Sequence, residues 1–277
     1  NKDNPFFLYF PTQLPHGPVS IPKVHPDFEN DERLTQIEKE YASMVKLLDD
    51  NVDQIMQRLS ELNIEDNTII IFTADNGHEI YYSKEGRVLK PYTNMTTGER
   101  FDDLERKYYS ESGGDVFDGN GGRAGLKRSN LQGGINVPLI VKWHGKIKAG
   151  STSERLVANY DILATIAEIT GFKNDYQTDG MSFYPELMGK ESIEHEFVAY
   201  SSFIGPALIT NDGWKIRTHL SKNAFELYYL PNDFREEANL AEKYPAKFEA
   251  LKAKLLEACD GDFNNGLHSY RNYVRIQ

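Results

Sequence analysis

One apolar stretch that ends in polar residues constrains the fold of this chain more than any other feature. The run Asn67-Thr68-Ile69-Ile70-Ile71-Phe72-Thr73 is rich in β-branched residues, and Ala74-Asp75-Asn76-Gly77-His78 follows it directly. Such a run is typical of a strand covered on both faces in a parallel sheet. Because ligands of open α/β sheets bind beyond the carboxyl ends of the strands, we expect Asp75 and Asn76 at a site. Their oxygens suit a hard cation such as calcium. The other interpretation is an ordinary Asp-Asn-Gly turn.

Size and charge narrow the class of protein. With 277 residues and 39% apolar content, the chain can bury the core of one large domain or one and a half. A formal charge of -11 argues against general binding of nucleic acid, although a local cationic pocket for a small anion is compatible with it. No apolar run has the length of a membrane span, so we expect no membrane partner either. A single cysteine, Cys259, excludes an internal disulfide framework and a thiolate metal cage.

A proline-rich loop near the start carries a second candidate. We predict a strand over residues 5 to 10, after which Pro11-Thr12-Gln13-Leu14-Pro15-His16-Gly17-Pro18 forms a stiff extended loop. His16 is therefore either a surface histidine or a general acid on a rigid support. A helical pattern from Asp31 to Leu62 then leads into the Ile69 strand, which predicts a right-handed βαβ unit. Its two strand ends would bring His16 and the Asp75-Asn76 pair to one edge of the sheet.

Two further segments mix cationic residues with aromatic residues or glycines. Residues 79 to 123 are an unusually long connection, either lining a sugar or sulfated-ligand cleft or forming a surface insertion with a short helix near 99 to 110. The glycine-rich stretch from Gly119 to Gly134 then presents Lys127 and Arg128 before a strand over residues 137 to 143. Glycines permit close approach to a ligand, and lysine is a compact point charge for one anion oxygen. The alternative is a solvated Lys-Arg pair.

The last third of the chain changes to an antiparallel pattern. An amphipathic helix is expected over residues 155 to 171, with Gly171 as its stop signal. Strands are predicted over residues 197 to 203, 206 to 210, 214 to 217 and 225 to 230, with Asn211-Asp212-Gly213 as a hairpin turn. A final helical pattern has the spacing to pack across this small sheet, and its apolar residues are Phe248, Leu251, Leu255 and Leu256.

Taken in order, four segments resemble the sulfatase family of the alkaline-phosphatase-like superfamily. They are Pro15-His16-Gly17-Pro18, Phe72-Thr73-Ala74-Asp75-Asn76-Gly77, Gly125-Leu126-Lys127 through Val141, and the ending with Asn211-Asp212-Gly213-Trp214-Lys215, Glu226-Leu227-Tyr228 and Ala238-Asn239-Leu240. The resemblance implies an α/β fold in which residues 1 to 190 are the C-terminal part of the catalytic domain, an alkaline-phosphatase-like sheet flanked by helices. Residues 79 to 123 would be a long insertion in it. Residues 191 to 277 would form a small antiparallel-sheet subdomain with a packed helix.

The resemblance also implies chemistry for particular residues. A sulfuric ester hydrolase of this family uses calcium and a formylglycine nucleophile, and here Asp75 and Asn76 would be calcium ligands. His16 would contact the bridging ester oxygen, and Lys127 would hold a sulfate oxygen and help the leaving group. Arg128 and His78 would contact substrate, with a helix-start histidine bonded to backbone as the alternative for His78. The family begins with a strand that carries paired aspartates and continues with a Cys- or Ser-x-Pro-x-Arg motif. We find no such strand and motif in the chain, so we expect the nucleophile and the other ligands in a missing N-terminal half.

Three functions remain open at this point. The first is hydrolysis of a sulfate ester of a carbohydrate or an aryl alcohol, as in arylsulfatases, by a protein of the periplasm or the cell exterior. The second is hydrolysis of phosphate or phosphonate monoesters by an enzyme of the same superfamily. The third is carbohydrate binding by a relative without a nucleophile. In each, the partners are a small ligand and the N-terminal half of the same protein, with no nucleic acid and no membrane.

Overall fold

The computed structural model describes residues 3–82, 104–173 and 178–267. Its α-helices are α1 (Pro26–Glu29), α2 (Gln36–Glu61), α3 (Gln132–Ile135), α4 (Asp161–Thr170), α5 (Tyr184–Leu187) and α6 (Pro245–Ala258). Its strands are β1 (Ile69–Thr73), β2 (Leu139–Trp143), β3 (Phe197–Tyr200), β4 (Ala207–Thr210), β5 (Trp214–His219) and β6 (Ala224–Tyr229). Single 3₁₀ turns cover Glu65–Asn67, Leu220–Lys222 and Phe263–Gly266. The predicted mixed α/β class is confirmed. Among these helices, none combines the length and apolar character needed to cross a bilayer.

The chain folds as two compact units that do not follow sequence order. The first contains the described residues of Asn1–Thr73, His78–Gly122 and Pro138–Lys146. The second contains Ala74–Gly77, Arg123–Val137 and the described residues of Ile147–Gln277. The second unit therefore collects the segment after β1, the glycine-rich stretch and the whole antiparallel region. The predicted domain boundary after residue 190 stays a prediction.

The long helix of the first unit is confirmed, with a later start than predicted. Thr35 precedes α2, and its backbone N–H donates to Glu38 Oε2 at 2.8 Å, which satisfies one of the unpaired donors at the helix start. One face of α2 is buried and carries Tyr41 and Met44. Helix α4 likewise begins later than predicted and ends at the predicted stop, where Gly171 adopts a φ of 71°.

Strand β1 forms as predicted, but the expected parallel arrangement is wrong within the described chain. β1 pairs with β2 in an antiparallel ladder, in which Ile69 lies opposite Trp143 and Thr73 opposite Leu139. All five residues of β1 are only half-buried, and Ile140 on β2 is 60% exposed. A continuous apolar run indicates that a strand can be covered on both faces. It does not indicate the direction of the neighbouring strand, which depends on contacts between residues far apart in the chain.

The predicted strand over residues 5 to 10 is also wrong, and the predicted βαβ unit fails with it. No strand is formed in this segment, because no other part of the described chain pairs with its backbone. Its five apolar side chains point largely to solvent, and Phe7 and Tyr9 are each 74% exposed. An exposed run of this size in a folded protein normally marks a surface that another segment or partner covers.

The antiparallel sheet of the second unit confirms the prediction for the C-terminal region. Strands β3, β4, β5 and β6 are hydrogen-bonded in that order, and every neighbouring pair is antiparallel. Gly213 takes a φ of 87° in the predicted hairpin turn between β4 and β5. Helix α6 packs across the sheet as predicted, and Cys259 at its end is buried. The core they share is formed by Leu208, Ile216, Leu227, Leu251, Leu255 and Cys259.

Candidate active site

The segment after β1 presents two oxygen ligands of different kinds. Asp75 is exposed, and its carboxylate makes no hydrogen bond or ion pair with any other residue that the structure describes. Asn76 is half-buried, and its Nδ2 donates to the carbonyl oxygen of Gly77 at 3.0 Å. An amide nitrogen only donates, so Oδ1 is the atom of this side chain that can bind a cation.

These two oxygens fit a hard cation as part of its coordination shell. Calcium takes about six to eight oxygen ligands, including carboxylates and amide carbonyls. Within residues 3–82, 104–173 and 178–267, no group of three or more His, Cys, Asp or Glu side chains gathers in a way that could hold a metal. The donor types of Asp75 and Asn76 therefore suit calcium, and a complete shell needs ligands from elsewhere.

Close backbone packing fixes the position of this segment in the second unit. The N–H of Gly77 donates to the carbonyl of Gly134 at 2.9 Å, and a Cβ at Gly77 would lie 2.0 Å from the carbonyl oxygen of Gly133. On the other side, Asn159 Nδ2 donates to the carbonyl of Ala74 at 3.0 Å. Only glycine fits at position 77, because helix α3 touches the backbone there.

Lys127 and Arg128 occupy the two central positions of a tight turn. The N–H of Ser129 donates to the carbonyl of Leu126 at 3.0 Å, and both flanking residues are buried. Arg128 is exposed and has a φ of 79°, a left-handed conformation that the third position of a type II turn requires and that usually selects glycine. A Cβ at Gly134 would lie 2.6 Å from the Leu126 carbonyl oxygen. The turn and the Asp75–Gly77 segment thus pack against the same helix, α3.

His16 lies in the first unit, on the predicted proline-rich loop. The residue is exposed, and its Nδ1 lies 2.8 Å from the carbonyl oxygen of Gly17. A carbonyl oxygen can only accept, so Nδ1 carries a proton and Nε2 is the nitrogen available to a ligand. The imidazole packs on the ring of Tyr81, with centroids 4.5 Å apart. Tyr81 was not singled out by the sequence as a support for His16.

His78 belongs to a buried polar cluster in the same unit. Its side chain is 9% exposed, and Nε2 lies 3.2 Å from Oδ2 of Asp115. Tyr82 donates its hydroxyl proton to Oδ1 of the same carboxylate. The expectation of a helix-start histidine bonded to backbone is wrong, since no helix begins here in the described chain and the partner is a side chain 37 positions away. Substrate contact by His78 stays a prediction.

The hydrogen bonds around Asp115 decide its protonation. Burial opposes ionisation, but hydrogen bonds from His78, Tyr82 and the backbone amides of Gly119 and Phe117 hold the pKa of Asp115 well below its usual range. The cluster therefore contains an ionised carboxylate at neutral pH. It ties His78 to the end of the 79–123 insertion, of which residues 83–103 and part of the predicted helix near 99 to 110 lie outside the described residues. Residues 104–110 form no helix.

We expect this carboxylate to make folding stability depend on pH in the acid range. Its folded pKa lies below the unfolded value of about 3.9, so its contribution is fully present above that value. The contribution is lost as the pH falls through the folded pKa. Urea denaturation of the full-length protein between about pH 6 and pH 2 should show a fall in the free energy of unfolding. Asp115→Asn should flatten that fall and Tyr82→Phe should do so in part. If the free energy of unfolding had the same pH profile in the wild type and in Asp115→Asn, this prediction would be wrong.

Comparison with known proteins places these features in one family. The sequence profile of the family described as Sulfatase matches residues 1–172, and that of N-sulphoglucosamine sulphohydrolase, C-terminal, matches residues 126–260. An N-acetylgalactosamine-6-O-sulfatase of Bacteroides thetaiotaomicron is 27% identical over 93% of this chain and 48% of its own length. A steryl-sulfatase of Rattus norvegicus is 28% identical over 84% of this chain and 34% of its own length.

A solved structure from Bacteroides thetaiotaomicron, described under the metabolism of multiple glycosaminoglycans, superposes with a TM-score of 0.69 at 26% identity. The superposition covers 93% of this chain and 50% of that one. The chain thus spans about half, or less, of the length of these relatives. The predicted similarity to sulfatase structures is confirmed.

Proposed function

The chain belongs to the sulfatase family, and on that premise we propose that the protein containing it hydrolyses sulfate esters of carbohydrates. The observation that carries the proposal is the attachment of the Asp75–Gly77 segment and of the Lys127 turn to the same helix, α3. Helix α3 thus supports a carboxylate and an amide oxygen that suit a cation. It also supports an ammonium group that suits an anion. That combination suits a small oxyanion bound beside a divalent cation.

Lys127 and Arg128 supply the positive charge that a sulfate group requires. In our proposal Lys127 binds one sulfate oxygen and Arg128 a second. The transition state of sulfate-ester cleavage spreads negative charge over oxygens, and fixed cations stabilise it without reorganising during the reaction. Because the chain carries a formal charge of -11, these local cations must act against an unfavourable background field.

His16 is assigned to the departing alcohol. Its Nδ1–H is committed to the Gly17 carbonyl, so a protonated ring donates through Nε2. A proton delivered to the bridging ester oxygen lets the alcohol leave as a neutral molecule, which is general acid catalysis. Packing on Tyr81 restricts the orientation of the ring. His78 is kept as a further substrate contact in this proposal.

Asp75 and Asn76 would hold part of a calcium ion's shell. When bound, the ion supplies a Lewis acid that polarises sulfate oxygens. We assign the remaining ligands and the formylglycine nucleophile to an N-terminal part of the same protein. Support comes from the exposed apolar run over residues 6 to 10, which needs a covering segment, and from the half-length match to relatives. We also propose that the protein is located in the periplasm or outside the cell. A subdomain boundary after residue 190 is part of the same proposal.

The names of the relatives support our proposal for the substrate class. The Bacteroides relative is named as a 6-O-sulfatase of N-acetylgalactosamine, and another structural neighbour was solved in complex with D-glucosamine-2-N,6-O-disulfate. We therefore propose a sulfated carbohydrate, and among carbohydrates a sulfated amino sugar, as the natural ligand.

The test is hydrolysis of matched esters by the full-length protein. We expect release of sulfate from 6-O-sulfated N-acetylgalactosamine and from an aryl sulfate, with slower release of phosphate from the corresponding phosphate esters. Residues 1–277 alone should release none, because the nucleophile is assigned elsewhere. A preference for phosphate esters would overturn the proposal in favour of a phosphate or phosphonate monoester hydrolase. Binding of the sugar without hydrolysis would favour a carbohydrate-binding protein.

A further inference from the structure

We infer that Asn130 is a positioning residue for Lys127, and that it transmits support from the antiparallel sheet β3–β6 to the Lys127 turn. This inference rests on the proposed function of the Lys127 turn. The starting observation is that the turn Leu126–Ser129 and the sheet lie in the same compact unit, although about 70 residues separate them in sequence. The residue that joins them follows the turn immediately.

Asn130 is fully buried and uses its side chain completely. Its Nδ2 donates to the carbonyls of Gly205 at 3.0 Å and Thr218 at 2.8 Å, while Oδ1 accepts from Arg217 Nη1 at 3.1 Å. Its own carbonyl accepts from the Tyr200 hydroxyl at 3.0 Å. Two donors and one acceptor are satisfied by the loop before β4 and by two consecutive residues of β5, a pattern that suits an amide side chain.

A buried ion pair makes this anchor rigid. Arg217 Nε donates to Glu226 Oε2 at 2.7 Å, and the two residues lie directly opposite each other on β5 and β6. Both side chains are almost completely excluded from water, at 0% and 7% exposure. A buried guanidinium with a fixed carboxylate partner has little freedom to turn, since any movement leaves a charge unpaired. Arg217 therefore offers Asn130 a donor at a fixed position.

A second pair holds the other side of the same loop. The N–H of Gln132, the first residue of α3, donates to Glu236 Oε2 at 2.6 Å. The other oxygen of Glu236 lies 2.5 Å from Lys215 Nζ, and both side chains are fully buried. The sheet thus holds the chain at residue 130 directly and at residue 132 through Glu236, which follows β6, and through α3 it also supports Gly77.

The turn itself needs such support. The left-handed conformation of Arg128 is unfavourable for a residue with a Cβ and persists only where the surrounding structure imposes it. The backbone of Arg128 is held by one further contact to this region, in which Phe203 N–H donates to its carbonyl at 3.2 Å. If Asn130 releases the chain, we expect Arg128 to relax towards negative φ and the Lys127 ammonium to move with it.

The experiment compares two asparagines of the same unit in the full-length protein. Asn130→Ala should lower kcat for sulfate-ester hydrolysis about 10-fold, because the ammonium is retained but misplaced. It should also speed amide hydrogen exchange at Ser129 and Phe203. Asn239→Ala is the matched control, since Asn239 accepts backbone N–H groups of Leu227 and Ala241 and does not touch the turn. It should lower thermal stability and leave kcat and both amides unchanged.

Other outcomes separate the inference from its premise. Wild-type kcat with unchanged exchange at Ser129 in Asn130→Ala would overturn the inference, as would an equal loss of kcat in Asn239→Ala. If Asn130→Ala does not fold, Arg217→Lys replaces it, because lysine keeps a charge for Glu226 and loses the Nη1 donor to Asn130. If the wild type hydrolyses no ester, the proposed function fails, and hydrogen exchange at Ser129 still decides whether Asn130 holds the turn.

Discussion

Replacing Lys127 with alanine in the full-length protein should lower kcat for sulfate-ester hydrolysis by about 10²- to 10³-fold. The reason is that the ammonium group acts on charge that develops in the transition state, while much of substrate binding comes from the sugar. KM should therefore change less than kcat. Lys127→Arg should recover part of the loss, since it keeps the charge but replaces a compact point charge with a planar fork.

Steady-state kinetics on an aryl sulfate and on a sulfated sugar measure this effect. Lys142→Ala is the matched control, because Lys142 is another lysine of the described chain and its Nζ is paired with Glu65 at 2.7 Å. Its kcat should stay close to the wild-type value. A kcat within about threefold of wild type for Lys127→Ala would exclude a direct role of this residue in the transition state.

Gly77→Ala should abolish calcium-dependent activity in a protein that still contains every predicted ligand. The added methyl group would lie 2.0 Å from the carbonyl oxygen of Gly133, so the backbone of the Asp75–Gly77 segment or of α3 must move. Overpacking of this kind costs about 1–3 kcal/mol of folding stability. The displacement would carry Asp75 and Asn76 with it, because they precede Gly77 directly. Calcium affinity should fall as well as kcat.

Calcium titration calorimetry and thermal unfolding of the full-length protein test this prediction together. Gly145→Ala is the control, because Gly145 also has a left-handed φ of 68° but no atom lies within 4 Å of its added Cβ. This variant should lose about 1–2 kcal/mol of folding stability, because alanine is strained in the left-handed conformation, and it should keep its calcium affinity. Unchanged calcium binding in Gly77→Ala would show that packing against α3 does not set the position of the ligands.

Local sequence patterns predicted the secondary structure well where side-chain periodicity carries the information. Helix α2 follows from apolar residues at spacings of three and four, and its actual start reflects the Thr35–Glu38 hydrogen bond, a finer signal than periodicity. Strands β4 to β6 and helix α6 lie within a few residues of their predicted positions, because turn signals such as Asn211-Asp212-Gly213 separate them. The run over residues 5 to 10 has the same composition as a strand, yet a strand forms only where a neighbour accepts its hydrogen bonds.

The sequence indicated the candidate residues of the site. It did not indicate the residues that hold them in place. The sequence indicated Asp75, Asn76, Lys127 and His16 because liganding and charged residues follow strands or stand among glycines and prolines. It gave no indication of Asn130 or Asp115, which look like ordinary polar residues in a loop. Arg217 stands in an alternating strand pattern, where a charged residue is normally exposed. Its burial depends on Glu226, which lies opposite it on β6, and on Asn130, which lies 87 positions away in the chain.

The sequence by itself determined the family of this chain and most of its helices and strands, and it indicated the residues that we propose for a cation and an oxyanion. The tertiary structure alone decided that β1 pairs in the antiparallel sense and that the Asp75 segment and the Lys127 turn share α3 as their support. It also decided that the buried pair of Arg217 and Glu226 on the C-terminal sheet contacts Asn130, the residue that follows the turn. The physical reason is that periodicity and turn chemistry act over a few neighbouring residues. Strand pairing, close glycine contacts and the buried hydrogen bonds of Asn130 and Gln132 instead join residues 57 to 104 positions apart, and they form only when the whole chain has folded.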